Sequence, residues 1–339
     1  MAAVADLYTP PEWAPHKAIW SAWPSHPDLW GEDLEAARLE VAAMVRALAE
    51  PVAGVPGDRM KVLACGLEGE LSARTAIGQV AEVVPARFGD IWLRDTGPIF
   101  GLLNGEPIAH AFQFNGWGEK YRLAHDDEVA EQVARVARAP LQLHPFVLEG
   151  GAIECDGEGT LITTRQCLLN PNRNPGWTEA EAESRLRAAL GIESVIWLDE
   201  GLLNDHTDGH VDNLARFVAP GVVVCQAPSG KDDPNAEVLE AIAATLHAAR
   251  DARGRALKVI RIPSPGLVPD EDGEPIPASH MNWLVGNATV VLPVYSGTGD
   301  DALRALAGLF QHRRLLGLSA KAILSGGGAF HCITQQEPM

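Results

Sequence analysis

The chain has few of the features that mark secreted, membrane-spanning or nucleic-acid-binding proteins. Its five cysteines are odd in number, widely scattered and never in a CxxC pair, which argues against a disulfide framework or a zinc ribbon. No apolar run approaches the roughly 20 residues that a membrane helix needs. The N-terminus has no basic start followed by an apolar stretch, so no signal peptide is expected. These absences together predict a reduced, cytoplasmic protein without membrane partners.

Basic residues are also scarce. The chain has 27 Lys and Arg residues against 45 Asp and Glu residues, and its formal net charge is −18. Because nucleic-acid binding needs basic patches that neutralise phosphate, this balance predicts no nucleic-acid partner. An acidic surface attracts cations, so the charge is compatible with a small cationic substrate, although it would also serve solubility alone.

What the chain does contain is a regular alternation of helical and strand-like segments. Apolar residues recur at helical spacing in five segments, at 33–50, 125–139, 178–191, 235–254 and 301–317. Pairs of strand-like runs joined by turn residues precede four of these helices, and one further strand-like run follows each helix. The run after the last helix is KAILSG. The unit that repeats is therefore strand, strand, helix, strand.

A fifth copy of this unit is incomplete at the N-terminus. There HKAIWSAW, the 33–50 helix and MKVLAC lack one strand, and an extra helix near 69–80 and a strand near 82–88 follow. The C-terminal segment FHCIT would supply the missing strand and close the chain into a ring. Repeats of about 60 residues favour a radial architecture, and no linker divides the chain, so one domain over 1–339 is expected. The loop 263–280 is interpreted as a surface excursion that could act as a lid.

Five polar clusters lie at matched positions, after the last strand of one unit and before the first strand of the next. They are FGDIWLRDTGP (88–98), LEGGA (148–152), HTDGHVDN (206–213), PASHMN (277–282) and GGGAFHCITQQ (326–336). In a ring, such positions meet near the central axis. The residues expected to converge there are Asp90, Asp95, Glu149, His210, Asp212 and Cys332.

A metal site is one use for such residues. His206, Asp208, His210 and Asp212 alternate, so on a strand they would share one face and could bind zinc if a remote ligand completed the set. Turn signals around Gly209 oppose this interpretation. They predict that His206 and Asp208 lie in a turn and that only His210 and Asp212 begin the strand.

The second possible function of the polar clusters is catalysis by a cysteine nucleophile. Cys332 differs from the other four cysteines, which lie in or at the ends of strand-like runs and are interpreted as small buried residues. Gly326, Gly327 and Gly328 come shortly before it and would let backbone approach a ligand. Several inward-facing carboxylates would repel one another unless a cation lay between them. Guanidinium pairs bidentately with carboxylates, and a thiolate below its central carbon could attack it.

The chain resembles the agmatine deiminase family of guanidino-group-modifying enzymes. The resemblance extends over almost the whole chain and is carried by PEWAPHKAIWSAWP, DIWLRDTGP, FNGWG, LEGGAIECDGEGT, CLLNPNRNP, GHVDN and GGGAFHCITQQEP. It implies the pentein fold, an α/β propeller of five ββαβ units around a pseudo-fivefold axis, which agrees with the count above. It also implies hydrolysis of agmatine to N-carbamoylputrescine and ammonia, a homo-oligomer, and no metal or organic cofactor.

The same resemblance implies roles for individual residues. It implies that Cys332 is the nucleophile and forms a covalent thiouronium intermediate, and that His210 is the general acid and base. It implies that Glu149 is the hydrogen-bonding partner beside His210. Asp95 and Asp212 complete the catalytic set and would bind the guanidinium nitrogens. The substrate contacts are Asp95 and Asp212 again, Trp92 along the alkyl-chain channel, and Gly328. His206 and Asp208 are left with shaping the turn.

Two segments depart from the family pattern and leave other functions open. GGGAFHC stands where GGGNIHC is common, so Ala329 and Phe330 replace a polar–aliphatic pair, and FNGWGEKY stands where FNAWGG is usual. Both could border the pocket, so another alkylguanidine or peptidyl-arginine is an alternative substrate. Amidino transfer would follow if an amine replaced water. A different class is a non-catalytic, ring-shaped binding protein, and a metallohydrolase is the last alternative.

Overall fold

The strands form five separate sheets in the computed structural model, which describes residues 7–295 and 297–339. Each sheet contains an antiparallel pair and a strand added in parallel, and the main helix of the unit connects this added strand to the strand with which it pairs. The strand, strand, helix, strand order expected from the sequence is therefore present in each sheet. Residues 1–6, which belong to the N-terminus considered for a signal peptide, lie outside the described residues.

Each sheet has three or four strands, and strands named next to each other within a sheet are hydrogen-bonded neighbours. They are Thr334–Pro338, His16–Ala22, Met60–Ala64 and Ala81–Pro85; Leu7–Tyr8, Ile99–Leu103, Glu106–Gln113 and Leu141–Val147; Ser194–Leu198, Thr160–Thr164 and Glu154–Cys155; Ala215–Ala219, Val222–Ala227 and Lys258–Pro263; Leu284–Val285, Thr289–Val294 and Arg314–Ser319.

The main helices agree with the helical periodicity to within a few residues, except for the last. They are Leu34–Ala49, Val129–Ala137, Glu179–Leu190, Ala236–Ala248 and Gly299–Leu306, and Gly66–Ile77 is the extra helix. Shorter helical segments are Pro27–Trp30, Leu93–Thr96, Arg165–Leu168 and Lys321–Ser325, with a distorted turn at Gly116–Glu119 and 3-10 turns at Gly31–Asp33, Asp126–Glu128, Gly150–Ala152 and Val211–Asn213.

Local capping explains why helix Glu179–Leu190 begins and ends where the sequence predicts. The Thr178 hydroxyl accepts a hydrogen bond from the Glu181 amide, as a helix N-cap does. Gly191 follows the last residue with φ 71°, a left-handed conformation that glycine adopts at little cost. Thr178 and Gly191 therefore bound this helix as its N-cap and C-cap residues.

The two ends of the chain meet in one sheet. The C-terminal strand runs antiparallel to His16–Ala22, with Gln335 opposite Trp20. The predicted pairing of the C-terminus with the first unit is confirmed, but the strand begins only at Thr334, the last residue of FHCIT. Residues 329–333 instead form a turn, in which the Ile333 amide donates to the Ala329 carbonyl. This turn sets Cys332 apart from the regular ladder.

Two predictions near the C-terminus are wrong. The helix expected over 301–317 ends at Leu306, and Arg314–Ser319 is a strand that pairs in parallel with Thr289–Val294. KAILSG, expected as a strand, contains the helix Lys321–Ser325. The carboxylate of Glu40 accepts hydrogen bonds from the first three amides of this helix, from Lys321 to Ile323. A cap supplied from so far away in sequence cannot be seen in a local pattern.

The loop 263–280 has no regular helix or long strand. Its centre, residues 270–274, is exposed, whereas Val268 and Ile276 pack against the main hydrophobic core. Asn204 donates to the Pro275 carbonyl at 2.9 Å, which ties the loop to the segment before His210. Over the described residues, no helix combines the length and the apolar character needed to cross a membrane.

Candidate active site

The segments expected to converge do so. Asp95, Glu149, His210, Asp212 and Cys332 are all buried, with exposed fractions between 0 and 6%. The imidazole of His210 lies between two carboxylates, with Nδ1 3.8 Å from Asp95 Oδ2 and Nε2 3.9 Å from Glu149 Oε2. The Cys332 Sγ is 3.5 Å from Asp212 Oδ2. The structure thus brings the predicted catalytic residues into one cluster.

Short turns, not strands, carry these side chains. Asp95 lies in the helical turn Leu93–Thr96, and Asp212 lies in the 3-10 turn Val211–Asn213, which His210 precedes. The prediction that His210 and Asp212 begin a strand is therefore wrong, because the strand starts only at Ala215. On a strand His210 and Asp212 would also share one face, because they are two residues apart. Here the 3-10 turn carries both side chains into the cluster instead.

Backbone hydrogen bonds lock the turns to one another. The Arg94 amide donates to the Cys332 carbonyl at 3.0 Å, which fixes the Asp95 turn against the nucleophile turn. The Gly151 amide donates to Asp95 Oδ1 at 2.9 Å. The side chain of Trp117 donates to the other oxygen, Asp95 Oδ2, also at 2.9 Å. Asp95 is thereby held with its two oxygens in defined directions.

The thiol of Cys332 has one close donor, the side-chain amide of Asn282. Asn282 Nδ2 lies 3.0 Å from Sγ, and its Oδ1 accepts the backbone amides of His331 and Cys332 at 3.0 and 3.2 Å. Burial, and then the charges of Asp212 and Asp95, raise the pKa of the Cys332 thiol well above its usual range. The sulfur is therefore protonated at neutral pH while the site is empty.

His210 is the imidazole of the cluster, and its surroundings favour the charged form. Burial by itself would lower its pKa, but the negative charge of Asp95 and the interactions with Cys167 and Glu149 outweigh burial and raise that pKa well above 6.5. Arg173 in turn donates to Glu149 Oε1 at 2.7 Å and helps to keep the pKa of Glu149 below its usual value despite burial. A buried, charged imidazole poised beside a thiol can act as an acid and, once deprotonated, as a base.

Three polar atoms of the cluster have no hydrogen-bond partner within the described residues. They are Nδ1 and Nε2 of His210 and Oδ1 of Asp212. A β-carbon added at Gly151 would lie 2.5 Å from His210 Nδ1, 3.0 Å from Asp95 Oδ1 and 3.2 Å from Asp212 Oδ2. The side chains of His210, Asp95 and Asp212 therefore pack closely against Gly151, and a larger residue there would displace them. Because buried polar groups without partners are costly, the unpartnered atoms of the cluster are suited to a ligand with N–H donors.

Two tryptophans form an aromatic wall beside the nucleophile. The rings of Trp30 and Trp92 are stacked with centroids 6.3 Å apart, and both indole N–H groups donate to the carboxylate of Asp90. A β-carbon at Gly328 would lie 2.6 Å from the Trp92 ring and 3.1 Å from Cys332 Sγ. Asp90, which is 7% exposed, is thus neither a surface ion pair nor a simple turn cap. Its carboxylate fixes the orientation of both indole rings.

His206 and Asp208 separate from the other two residues of their alternating run. Asp208 accepts hydrogen bonds from Lys120, Asn172 and Arg173, and its φ is 64°. The exposed ring of His206 stacks on Tyr121 with an interplanar angle of 6°. The four residues therefore do not present a common face for zinc. His206 and Asp208 instead connect the turn to the 116–121 loop through Tyr121 and Lys120. This loop belongs to the FNGWGEKY segment that departs from the family pattern.

A different trio has the spacing of a metal site. Glu149, Cys167 and His210 each offer an atom, and these atoms lie within 4.8 Å of one another. Glu149 is already neutralised by Arg173, however, and burial raises the pKa of the Cys167 thiol above its usual value. A protonated thiol is a poor metal ligand. Cys167, interpreted from sequence only as a small buried residue, instead borders the general acid and base.

Several residues of the site were not predicted. Those that contact the predicted set directly are Asn282, Gly151, Trp117, Arg173 and His331. Each lies within a polar cluster or family motif quoted from the sequence, so the signal was the motif itself. Nothing in the spacing showed which member of the motif would reach the reacting atoms.

Comparison with known proteins places the chain in a family. The sequence profile of the Porphyromonas-type peptidyl-arginine deiminases matches residues 8–338. The chain belongs to this family. It is also 39% identical over 359 aligned residues to the agmatine deiminase of Stutzerimonas stutzeri, an alignment that covers 98% of this chain and 95% of that protein. The expected relationship to agmatine deiminases is therefore confirmed.

Solved structures agree with the sequence comparison. The chain is similar to the agmatine deiminase of Enterococcus faecalis, with a TM-score of 0.90, 31% identity and coverage of 98% of this chain and 96% of the other. A more distant likeness is to DDAH from Pseudomonas aeruginosa, with a TM-score of 0.53 and 12% identity over 95% and 99% of the chains. The second likeness bears only on the fold, which is of the α/β class shared by penteins.

Proposed function

We propose that this chain is an agmatine deiminase, which hydrolyses the guanidinium group of agmatine to N-carbamoylputrescine and ammonia. The observation that carries the proposal is the buried cluster beside Cys332, in which Asp95, His210 and Asp212 all lie against Gly151 and Asp212 Oδ1 has no hydrogen-bond partner within the described residues. A guanidinium group supplies several N–H donors and a positive charge, which is what two buried carboxylates with a free acceptor need. The sequence similarity to agmatine deiminases supports the same function.

Substrate binding would prepare the nucleophile. The charges of Asp212 and Asp95 contribute to the raised pKa of Cys332, so a cation between these acids offsets their effect on the sulfur. The thiol then gives up its proton to solvent, and the thiolate, which accepts a hydrogen bond from Asn282, attacks the guanidinium carbon. The product of this step is a tetrahedral adduct held by the two acids.

His210 completes both half-reactions. In the first, the imidazolium donates a proton to the leaving nitrogen, ammonia departs, and an S-alkylthiouronium is left on Cys332. In the second, the neutral imidazole takes a proton from water as the oxygen attacks the same carbon. Collapse of this second adduct breaks the C–S bond while its hydroxyl proton passes to solvent, which releases the neutral ureido product and returns the thiolate. Glu149, close to Nε2, stabilises the imidazolium form.

A small, unbranched guanidine suits the surroundings better than a peptide. Cys332 is only 5% exposed, so the guanidinium must enter an enclosed site, and the stacked Trp30 and Trp92 offer an apolar wall for an alkyl chain. Peptidyl-arginine carries a backbone on both sides of its side chain and would need an open groove. The proposed substrate contacts are Asp95, Asp212, Trp92 and Gly328.

The architecture and assembly form part of the same proposal. The five sheets are proposed to surround a pseudo-fivefold axis as one catalytic domain over 1–339, with the active site at the axis. The pairing of the C-terminal strand with the first unit supports this arrangement. We further propose a homo-oligomer in the cytoplasm, no nucleic-acid partner, no cofactor, and a 263–280 loop that covers the site.

Ammonia release from agmatine, measured with EDTA present throughout, tests the function. Formation of N-carbamoylputrescine, identified by mass spectrometry in a 1:1 ratio with ammonia, is the expected result. A peptidyl-arginine substrate assayed in parallel should react at least about 100-fold more slowly in kcat/KM if the enclosed site selects small guanidines. Absence of ammonia from agmatine would contradict the proposal, and ammonia release that occurs only in a parallel assay without EDTA would favour a metallohydrolase.

A further inference from the structure

His331, the residue immediately before the nucleophile, bridges two buried carboxylates. Its Nδ1 lies 2.8 Å from Asp212 Oδ2, and its Nε2 lies 2.9 Å from Glu12 Oε2. The side chains of all three residues are at most 5% exposed. Glu12 belongs to the N-terminal segment PEW, so the bridge connects the start of the chain to the acid proposed to bind guanidinium.

The geometry defines the protonation state of the ring. A neutral imidazole has one N–H, so its second nitrogen would turn a lone pair toward a carboxylate oxygen. The pKa of Glu12 is lowered because the charges of Arg216 and His331 outweigh burial, and the pKa of Asp212 is lowered because the hydrogen bond and charge of His331 outweigh burial. Both acids are therefore ionised, and a ring with two N–H groups satisfies both.

Neighbouring groups hold the imidazolium in place. The amide of His331 donates to Asn282 Oδ1 at 3.0 Å, and its carbonyl accepts from Arg94 Nε at 3.3 Å. Glu12 is anchored by Arg216 and by the Val285 amide, 2.7 Å from Glu12 Oε1. The charged groups around the ring are thus Asp212, Glu12, Arg94 and Arg216, with Glu154 beyond Arg216.

We propose that His331 is a positioning residue, whose Nδ1 holds Asp212 Oδ2 so that Asp212 Oδ1, which has no partner within the described residues, faces the substrate guanidinium. This inference rests on the proposed function, since it acts through the acid assigned to substrate binding. Glu12 orients the ring from its other side. Without His331, the Asp212 carboxylate would lose its closest partner, could rotate away from the substrate, and would bind a proton more readily in the buried site.

Two substitutions distinguish this role from simple packing. In His331→Asn, the side-chain amide nitrogen takes the place of Nδ1 and can still donate to Asp212. In His331→Gln, it takes the place of Nε2 and can donate only toward Glu12. Both remove the ring and its charge. We expect kcat/KM for agmatine to fall about 10-fold in His331→Asn and about 100-fold in His331→Gln, mostly through KM, as expected for a lost charge-assisted hydrogen bond.

A double-mutant cycle tests whether the effect runs through Asp212. Agmatine affinity is measured by calorimetry on full-length protein carrying Cys332→Ser, which prevents turnover. His331→Gln should weaken binding about 100-fold when Asp212 is present and by less than about 3-fold when Asp212→Asn is also present. Equal losses in both backgrounds, or equal losses for His331→Asn and His331→Gln, would overturn the inference.

Failure of this inference and failure of the proposed function give different results. A wild-type chain that neither binds nor converts agmatine would overturn both. An active wild type with additive His331 effects would overturn only the role of His331. If the His331 variants do not fold, Glu12→Gln removes the charge that orients the ring without touching Asp212. Its agmatine affinity should fall about 10-fold, and unchanged affinity would overturn the inference.

Discussion

Two buried polar regions lie on either side of His331, and they differ in how completely their hydrogen bonds are made. The paired cluster consists of Glu12, Glu154 and Arg216. Both Glu154 oxygens accept, from Arg216 Nε and from the Phe217 amide, and the remaining Arg216 nitrogens donate to Glu12 and to the carbonyls of Met281 and Trp283. The open site consists of Asp95, His210, Asp212 and Cys332.

The open site is just as buried as the paired cluster but is not satisfied. Both His210 nitrogens and one Asp212 oxygen have no partner within the described residues, and the pKa of Asp95 is raised by burial and by the neighbouring acids Asp212 and Glu149. A folded protein accepts such a cost where a ligand completes the interactions. The comparison therefore separates residues that hold the fold from residues that await a substrate.

The largest expected effect is the loss of the nucleophile from the open site. Cys332→Ser should lower kcat for agmatine by at least about 1,000-fold, because a serine hydroxyl is far less ionised than a thiol at neutral pH. The midpoint of thermal unfolding should stay within about 2 °C of the wild type, since one buried atom is replaced by a similar one. Substantial residual deimination would contradict the assignment of Cys332.

Removal of a charge from the paired cluster should have the opposite outcome. Arg216→Met leaves Glu12 and Glu154 buried without their partner and should cost about 3–5 kcal/mol in the free energy of unfolding, measured by chemical denaturation. The kcat per folded molecule should fall by less than about 10-fold. The double variant Arg216→Met/Glu154→Gln should recover part of the lost stability. A fully stable Arg216→Met protein would show that the cluster does not hold the fold.

A methyl group placed in the open site should block it. Gly151→Ala puts a β-carbon within 2.5 Å of His210 Nδ1, beside the acids proposed to bind the guanidinium. Agmatine kcat/KM should fall by about 100-fold, because a small displacement of reacting groups is costly. Gly230→Ala is the matched control, since a β-carbon there meets nothing within 4 Å. Equal activity of the two variants would argue against guanidinium binding beside Gly151.

The smallest expected effect concerns the aromatic wall. Asp90→Asn leaves one oxygen for two indole N–H groups, so either Trp30 or Trp92 loses its acceptor. We expect KM for agmatine to rise about 5- to 10-fold, as for one lost hydrogen bond, with kcat changed less than about 3-fold. Steady-state kinetics on agmatine and on shorter alkylguanidines would measure this. A kcat defect without a KM change would place Asp90 in the chemistry instead.

The repeat pattern allowed much of the fold and the position of the site to be predicted. The helix over 178–191 carries its own capping signals, and the polar clusters follow the period of the repeat, so both are visible locally. KAILSG was misassigned because Glu40, distant in sequence, caps it as a helix. His210 and Asp212 were expected to begin a strand because the turn around Gly209 was taken to end before them, whereas a 3-10 turn continues through Val211–Asn213.

By itself, the sequence determined the order of strands and helices up to the last unit, the motifs that carry Asp95, Glu149, His210, Asp212 and Cys332, and the family. Only the tertiary structure decided which partners these side chains have. Asn282 donates to Cys332, and His331 links Asp212 to Glu12. The physical reason is the sequence distance between the interacting groups. Periodicity and local capping depend on neighbours along the chain. These hydrogen bonds and buried charge pairs instead join segments that are distant in sequence and come within a few ångströms of one another only in the folded protein.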